Sequence, residues 1–199
     1  MGYSMDWRIG IMTNGKKTKL LTIILLLFCL FLSSCSQEYS STKEEDYERY
    51  IGEVLDAELY MPKLDDLGDY ESIFAARRTI NDPFIDTTDS VTLIVQYHKD
   101  VFDFVVNQIE TKYDFINFAL DNYKDYEAEV NNYHFRVDST SLCEMICYPS
   151  GEIVFEPFHS LLIGVNMSDN KIAYLYYHDI EIHEMNDLDT FIEKKFVLE

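Results

Sequence analysis

Apolar residues recur at helical spacing through residues 47–59, near the start of the acidic part of the chain. This pattern predicts a helix that ends before Pro62 in spite of Gly52. Ser41 and Glu44 stand at the spacing of a capping box, in which each side chain bonds a free backbone amide of the first turn. We therefore expect the folded region to open with a capped helix.

A second helical pattern follows Asp100, which is a good N-cap residue. Apolar positions from Phe102 to Ile116 are spaced by three and four residues, as in a helix that covers one face of a sheet. A further short helix is expected over residues 187–195, capped by Asn186 or Asp187.

The apolar period changes to two in several other segments, which predicts strands. Residues 70–79 fit a helix or a strand, and we favour a strand that pairs with the strongly apolar residues 91–97. The remaining predicted strands are residues 133–137, 142–148, 152–155, 161–165 and 171–178, the last two joined as a hairpin. Together these elements predict an α+β fold: a mostly antiparallel sheet of five to seven strands with one long helix packed on it, plus short terminal helices.

The first 35 residues have the composition of an export signal. Lys16, Lys17 and Lys19 precede an apolar run of about 13 residues, which is shorter than the roughly 20 that a spanning helix needs. The run ends in Leu32-Ser33-Ser34-Cys35, which resembles the lipobox of bacterial lipoproteins. An ordinary secretory signal and an uncleaved anchor are the alternatives.

The resemblance implies that signal peptidase II removes residues 1–34 and that Cys35 becomes the acylated first residue of the mature protein. Met12 is an alternative start of translation. Residues 35–42 would then be the lipidated cysteine and a flexible polar tether, and residues 43–199 a single domain. The expected location is the extracytoplasmic face of the cell membrane, or the outer membrane in a diderm cell, because Ser36 rather than Asp follows Cys35.

The chain has a formal charge of −20, with 36 acidic and 16 basic residues. Four of those basic residues and one acidic residue lie in the leader, so the mature chain would carry about −23. Such a charge repels nucleic acid, which we exclude as a partner, and leaves the acyl chains on Cys35 as the membrane contact. The 15 tyrosines and 13 phenylalanines indicate a folded domain rather than an acidic disordered tail.

One cluster near the C-terminus has the residue types of a metal or acid–base site. On an extended strand, Asp179, Glu181 and His183 would share one face, but residues two apart are separated by about 6.6 Å, so at most two could bind one ion unaided. We favour a half-buried edge strand for residues 178–184, and the three side chains remain weak metal candidates.

The other candidate residues fit structural roles better than chemical ones. Cys143 and Cys147 would lie about 13 Å apart on one strand, beyond the reach of a disulfide. His134 and His159 are expected on the surface or as hydrogen-bonded core residues. The tyrosines around residue 175 resemble a sugar-binding strip, but a strand buried on both faces explains them better.

The sequence lacks the Gly-x-Ser-x-Gly, phosphate-loop, His-Glu-x-x-His and Gly-x-Gly-x-x-Gly motifs. The strand at 91–97 followed by a helix, and the late strand at 171–176, resemble small uncharacterised lipoproteins of low-GC Gram-positive bacteria, a resemblance that implies no activity. We expect a membrane-anchored, non-enzymatic domain without a cofactor that binds a protein or an envelope component. The alternative is a small envelope hydrolase or metal-dependent enzyme that uses residues 178–184.

Overall fold

The computed structural model describes residues 36–81, 87–116, 127–141, 145–147, 153–155, 159–179 and 187–199, with only the backbone at 145–147, 153–155 and 179. The strands are β1 Ser36–Ser41, β2 Ser72–Asn81, β3 Thr87–Gln96, β4 Glu127–Val130, β5 Tyr133–Val137, β6 Met145–Cys147, β7 Ile153–Phe155, β8 His159–Asn166 and β9 Lys171–Asp179. The helices are α1 Glu44–Glu53, α2 Ala57–Tyr60, α3 Lys99–Lys112 and α4 Leu188–Lys195.

Seven of the strands form one antiparallel sheet in the order β1-β2-β3-β9-β8-β5-β4, and β6 pairs with β7 in a separate ladder. The α+β class and the mostly antiparallel sheet are therefore as predicted. The described residues contain four α-helices, of which α3 is the longest with 14 residues.

The hairpins predicted from the sequence are present. β2 pairs with β3 from Ser72 opposite Gln96, and β8 pairs with β9 up to Asn166 opposite Lys171. At the second turn the Asn166 side-chain oxygen accepts the Asp169 amide at 3.1 Å. This local bond holds the turn, because an Asn side chain can imitate the backbone acceptor of a tight turn.

The sheet is buried on both faces, which alternate along each strand. On β9, Ile172, Tyr174 and Tyr176 belong to one apolar cluster, whereas the residues between them belong to a second cluster. We call the surface that α1, α2 and α3 cover the first face, and the surface that α4 covers the second face. The burial of the tyrosines around residue 175 is therefore explained by packing, as the sequence predicts.

The polar segment after Cys35 differs from the predicted tether. Ser36–Ser41 forms the edge strand β1 and pairs with β2 over its whole length, from Ser36 opposite Ile80 to Ser41 opposite Ala75. Its side chains are mostly exposed, so the strand has no apolar pattern for the sequence to reveal. It exists because the edge of β2 offers unpaired backbone groups.

The helix predicted at 47–59 is divided in two. α1 ends at Glu53, the chain turns through Asp56 in the left-handed region at φ 60°, and α2 begins at Ala57. The capping box is absent too: Ser41 Oγ accepts the Lys43 amide at 3.2 Å, outside the helix.

The predictions for the other helix starts had mixed outcomes. α3 begins at Lys99 after His98, so Asp100 lies in the first turn instead of capping it. Asp187 caps α4 as predicted, because its carboxylate accepts the Thr190 amide at 3.2 Å.

Candidate functional site

The cluster predicted near the C-terminus is described only at its start. β9 ends at Asp179, which lies opposite Thr88 of β3, while Glu181 and His183 lie outside the described residues. The prediction of an edge strand is wrong for the part that is described, because β3 and β8 pair with β9 on either side. Cys35 and Cys143 also lie outside the described residues.

Within the described ranges of the chain, no three His, Cys, Asp or Glu side chains are grouped closely enough to hold a metal ion. His134 and His159 occupy the places that the sequence predicts. His134 is partly exposed and pairs with Glu129 at 2.8 Å, and His159 lies in the core.

The structure brings together Asp138, Ser141 and His159, a set that the sequence did not single out. All three are buried, and they lie where β5 and β8 meet the turn Ser139–Ser141. The Ser141 hydroxyl donates to the Asp138 carbonyl at 2.7 Å, and His159 Nδ1 donates to the Ser141 carbonyl at 2.5 Å. The residue types match those of a hydrolytic triad.

The geometry of this set is nevertheless that of a structural clamp. In a triad, the imidazole must face the serine hydroxyl and the carboxylate must face the imidazole. Here the Ser141 hydroxyl also accepts the Leu161 amide at 2.7 Å, and the Asp138 carboxylate accepts the Asp114 amide at 3.2 Å. The imidazole therefore bonds a backbone carbonyl instead of the nucleophile, and the set ties β8 to the turn beside it.

A second polar group lies in the core under α3. Tyr97, Tyr113 and Tyr174 line a cavity of about 40 Å³. The hydroxyls of Tyr97 and Tyr174 lie near one another. Tyr97 Oη nevertheless has no regular hydrogen-bond partner among the described residues. A cavity of this size has room for about one water molecule.

The phenols around this cavity stay protonated at neutral pH. Burial raises the pKa of Tyr113 to about 12 and is the largest cause of the raised pKa values of Tyr97 and Tyr174. The cavity is therefore a polar defect of the core, too small for an organic ligand.

A concave surface lies at the junction of α1 and α2. It is an open cleft of about 480 Å³, formed by residues 51–56, 58 and 59, and we call it the α1–α2 cleft. Two leucines project from it: Leu55 is 62% exposed and Leu59 is 76% exposed. The sequence predicts one continuous helix that includes both leucines, which is wrong because α1 ends at Glu53 and α2 begins at Ala57.

The backbone beneath these leucines is firmly held. The buried Tyr176 hydroxyl donates to the Leu55 carbonyl at 3.0 Å, and the Ala57 amide donates to the Val54 carbonyl at 3.2 Å. Val54 and Ala57 are both buried. Asp56 between them adopts a left-handed conformation, which is uncommon for a residue other than glycine. The turn thus presents its leucines from a fixed backbone.

All charged residues that line the α1–α2 cleft are acidic. Glu53 pairs with Arg77 of β2 and with Arg49 of α1, whereas Asp56 and Glu58 have no ion pair or hydrogen-bonded side-chain partner in the described part of the chain. The C-terminus of α1 adds negative potential, because its last turn has no basic residue. An adjoining cleft of about 280 Å³ differs, since its carboxylates are accompanied by Lys63 and Lys112.

Comparisons with known proteins found no match to this chain among protein-family models, curated proteins or solved structures. Among the described helices, none has the length and apolar character to cross a bilayer.

Proposed function

We propose that this protein is a lipid-anchored, extracytoplasmic domain that acts by binding a protein or an envelope component rather than by catalysis. The anchor rests on the leader that ends in Leu32-Ser33-Ser34-Cys35.

The binding role rests on the α1–α2 cleft. Leu55 and Leu59 expose apolar surface on a backbone that is held by buried residues, so the chain loses little conformational freedom when a partner covers them. Large exposed apolar side chains grouped in this way are typical of interaction surfaces. The bonding of Ser141 and His159 favours the same conclusion, because both side chains are engaged in holding backbone groups.

The anchor is tested by expressing the full chain and its Cys35→Ala variant in a bacterium, with and without globomycin. The original chain is expected to be shortened by the mass of the leader and to sediment with membranes. The variant and the globomycin-treated chain should remain uncleaved. Normal shortening of the Cys35→Ala variant would overturn the lipoprotein assignment.

The binding role is tested by cross-linking in the same cells. After treatment with a membrane-impermeant, amine-reactive cross-linker, the anchored protein is expected to give a discrete adduct of higher mass in addition to the free form. If the anchored protein stays free at every cross-linker concentration, the proposed binding role is wrong.

A further inference from the structure

We propose that the α1–α2 cleft takes a basic segment of a partner protein that inserts an apolar side chain between Leu55 and Leu59. This proposal rests on the proposed function as a binding domain and names the partner's chemistry. The proposal is supported by the combination of two exposed leucines with a lining whose charged residues are all acidic, of which Asp56 and Glu58 have no ion pair among the described residues.

The apolar half of the cleft needs an apolar occupant. Leu55 and Leu59 are exposed, while Ile51 beside them is partly buried and packs on the core of the first face. Removal of this surface from water is favourable in proportion to the area covered. A volume of about 480 Å³ is large enough for a bulky side chain and its neighbours, and it is open to an extended or helical segment.

The acidic side chains of the cleft favour a partner with positive charge. Asp56 and Glu58 stand beside the C-terminus of α1, where backbone carbonyls already give negative potential. The Glu58 carboxylate lies close to Gly52, since a Cβ atom there would lie 3.3 Å from Glu58 Oε1. Lysine or arginine side chains flanking the apolar anchor would meet these carboxylates.

Other classes of occupant fit less well. Anionic lipid headgroups and nucleic acid would be repelled by a chain of charge −20. A zwitterionic or neutral small molecule would use the leucines but would leave the acidic surround without a role. A basic protein segment satisfies both halves of the cleft.

The probe is a synthetic 14-residue peptide with leucine at helical spacing and lysine elsewhere, labelled for fluorescence anisotropy. Two control peptides have the same leucines with glutamate, or the same lysines with serine in place of leucine. The protein is the full chain purified in a neutral detergent, and empty micelles provide the blank. We expect saturable binding of the leucine–lysine peptide that weakens as salt is added, and at least tenfold weaker binding of both controls.

Matched protein variants locate the site. Two double variants are each expected to weaken binding of the leucine–lysine peptide about tenfold or more: Leu55→Ser/Leu59→Ser and Asp56→Asn/Glu58→Gln. Glu127→Gln/Glu129→Gln removes the same charge from the exposed positions of the edge strand β4 and should change binding less than twofold. Circular dichroism melts verify that each variant is folded, and the charge variant keeps the test valid should the serine variant unfold.

Three outcomes overturn the proposal: no saturable binding, an equal loss in the β4 variant, or unchanged binding when either half of the cleft is altered. If the peptide fails but Cys35-dependent processing and the cross-linked adduct remain, the proposed function stands and only this site is wrong.

Discussion

Two helices end on opposite faces of the sheet, and neighbouring arginines of β2 meet them in different ways. On the second face, Arg78 donates to the Lys194 carbonyl at 2.8 Å, at the end of α4. On the first face, Arg77 pairs with the carboxylates of Glu53 and Asp89. The end of α4 is therefore capped by an arginine of the sheet, whereas Arg77 pairs with a side chain at the end of α1, and the last residues of α1 line the acidic α1–α2 cleft.

The two faces also differ in packing: the second face is closed by aromatic rings, and the first face contains polar groups and exposed apolar side chains. On the second face, the Phe191 ring packs edge-on against two aromatic rings. Its centroid lies 4.9 Å from that of Tyr177 and 6.0 Å from that of Phe196. The first face includes the tyrosine cavity, the clamp of Asp138, Ser141 and His159, and the exposed leucines. The difference indicates that the second face is closed for stability, while the first face retains polar groups and an open surface suited to recognition.

Alkaline pH should produce the largest effect, and it acts mainly through the first face. Burial raises the pKa of Tyr113 to about 12 from an ordinary value of 10.0, and it raises those of Tyr47, Tyr97 and Tyr174 as well. The unfolded chain therefore loses phenolic protons before the folded chain does. The stabilisation is complete below pH 10 and is lost as the pH rises through 12.

We expect tyrosinate absorbance from these residues and loss of circular dichroism to coincide in one transition. In the Tyr113→Phe variant, the unfolding free energy should fall less steeply between pH 10 and 12. Ionisation of all tyrosines with an unchanged dichroism spectrum would show that the first-face phenols are not protected by the fold.

The second face should respond most to added volume. A Cβ atom at Gly164 would lie 2.3 Å from the ring of Phe135, its partner in the β5–β8 register. Gly164→Ala is therefore expected to lower the free energy of unfolding by about 2 to 3 kcal/mol, as overpacked cores do. Urea denaturation provides the measurement.

Phe135→Leu supplies the control in a double-mutant cycle. If the Phe135 ring is the obstacle, Gly164→Ala should lower the free energy of unfolding clearly less in the Phe135→Leu background than in the original chain. Equal costs in both backgrounds would mean that the backbone, not the ring, makes alanine unfavourable.

The smallest of these effects concerns the turn beneath the α1–α2 cleft. Tyr176→Phe removes the hydroxyl that donates to the Leu55 carbonyl and should cost about 1 kcal/mol of unfolding free energy. The amides of Ala57 and Leu59 bond within this turn, so their hydrogen exchange should accelerate. Tyr177→Phe, on the second face, should leave both exchange rates unchanged; equal acceleration in the two variants would contradict local control by Tyr176.

Elements with local causes were predictable from the sequence, and elements with distant causes were not. The β8–β9 hairpin was predictable because Asn166 bonds amides two and three residues away. β1 was missed because its pairing partner, β2, begins more than thirty residues later. The residues 70–79 were ambiguous as a pattern and became a strand through pairing with β3.

The candidate site followed the same division. The acidic character of residues 53–58 is evident in the sequence, but the exposure of Leu55 and Leu59 depends on the turn at Asp56, which interrupts a regular helical pattern. The clamp of Asp138, Ser141 and His159 could not be predicted, because the sheet brings β5 and β8 together.

In the proposed anchored form, the position of β1 would limit how far the domain can reach from the membrane. Tyr39 lies opposite Arg77, which holds the end of α1, and it is three residues from Ser36, the first residue of β1 and the one that follows Cys35 in the sequence. At about 3.3 Å per residue, the distance along the strand from Ser36 to Tyr39 is about 10 Å. With acyl chains on Cys35, the domain would have almost no slack to lift away or to rotate. Its partners would be molecules that expose their basic segments within a few nanometres of the bilayer.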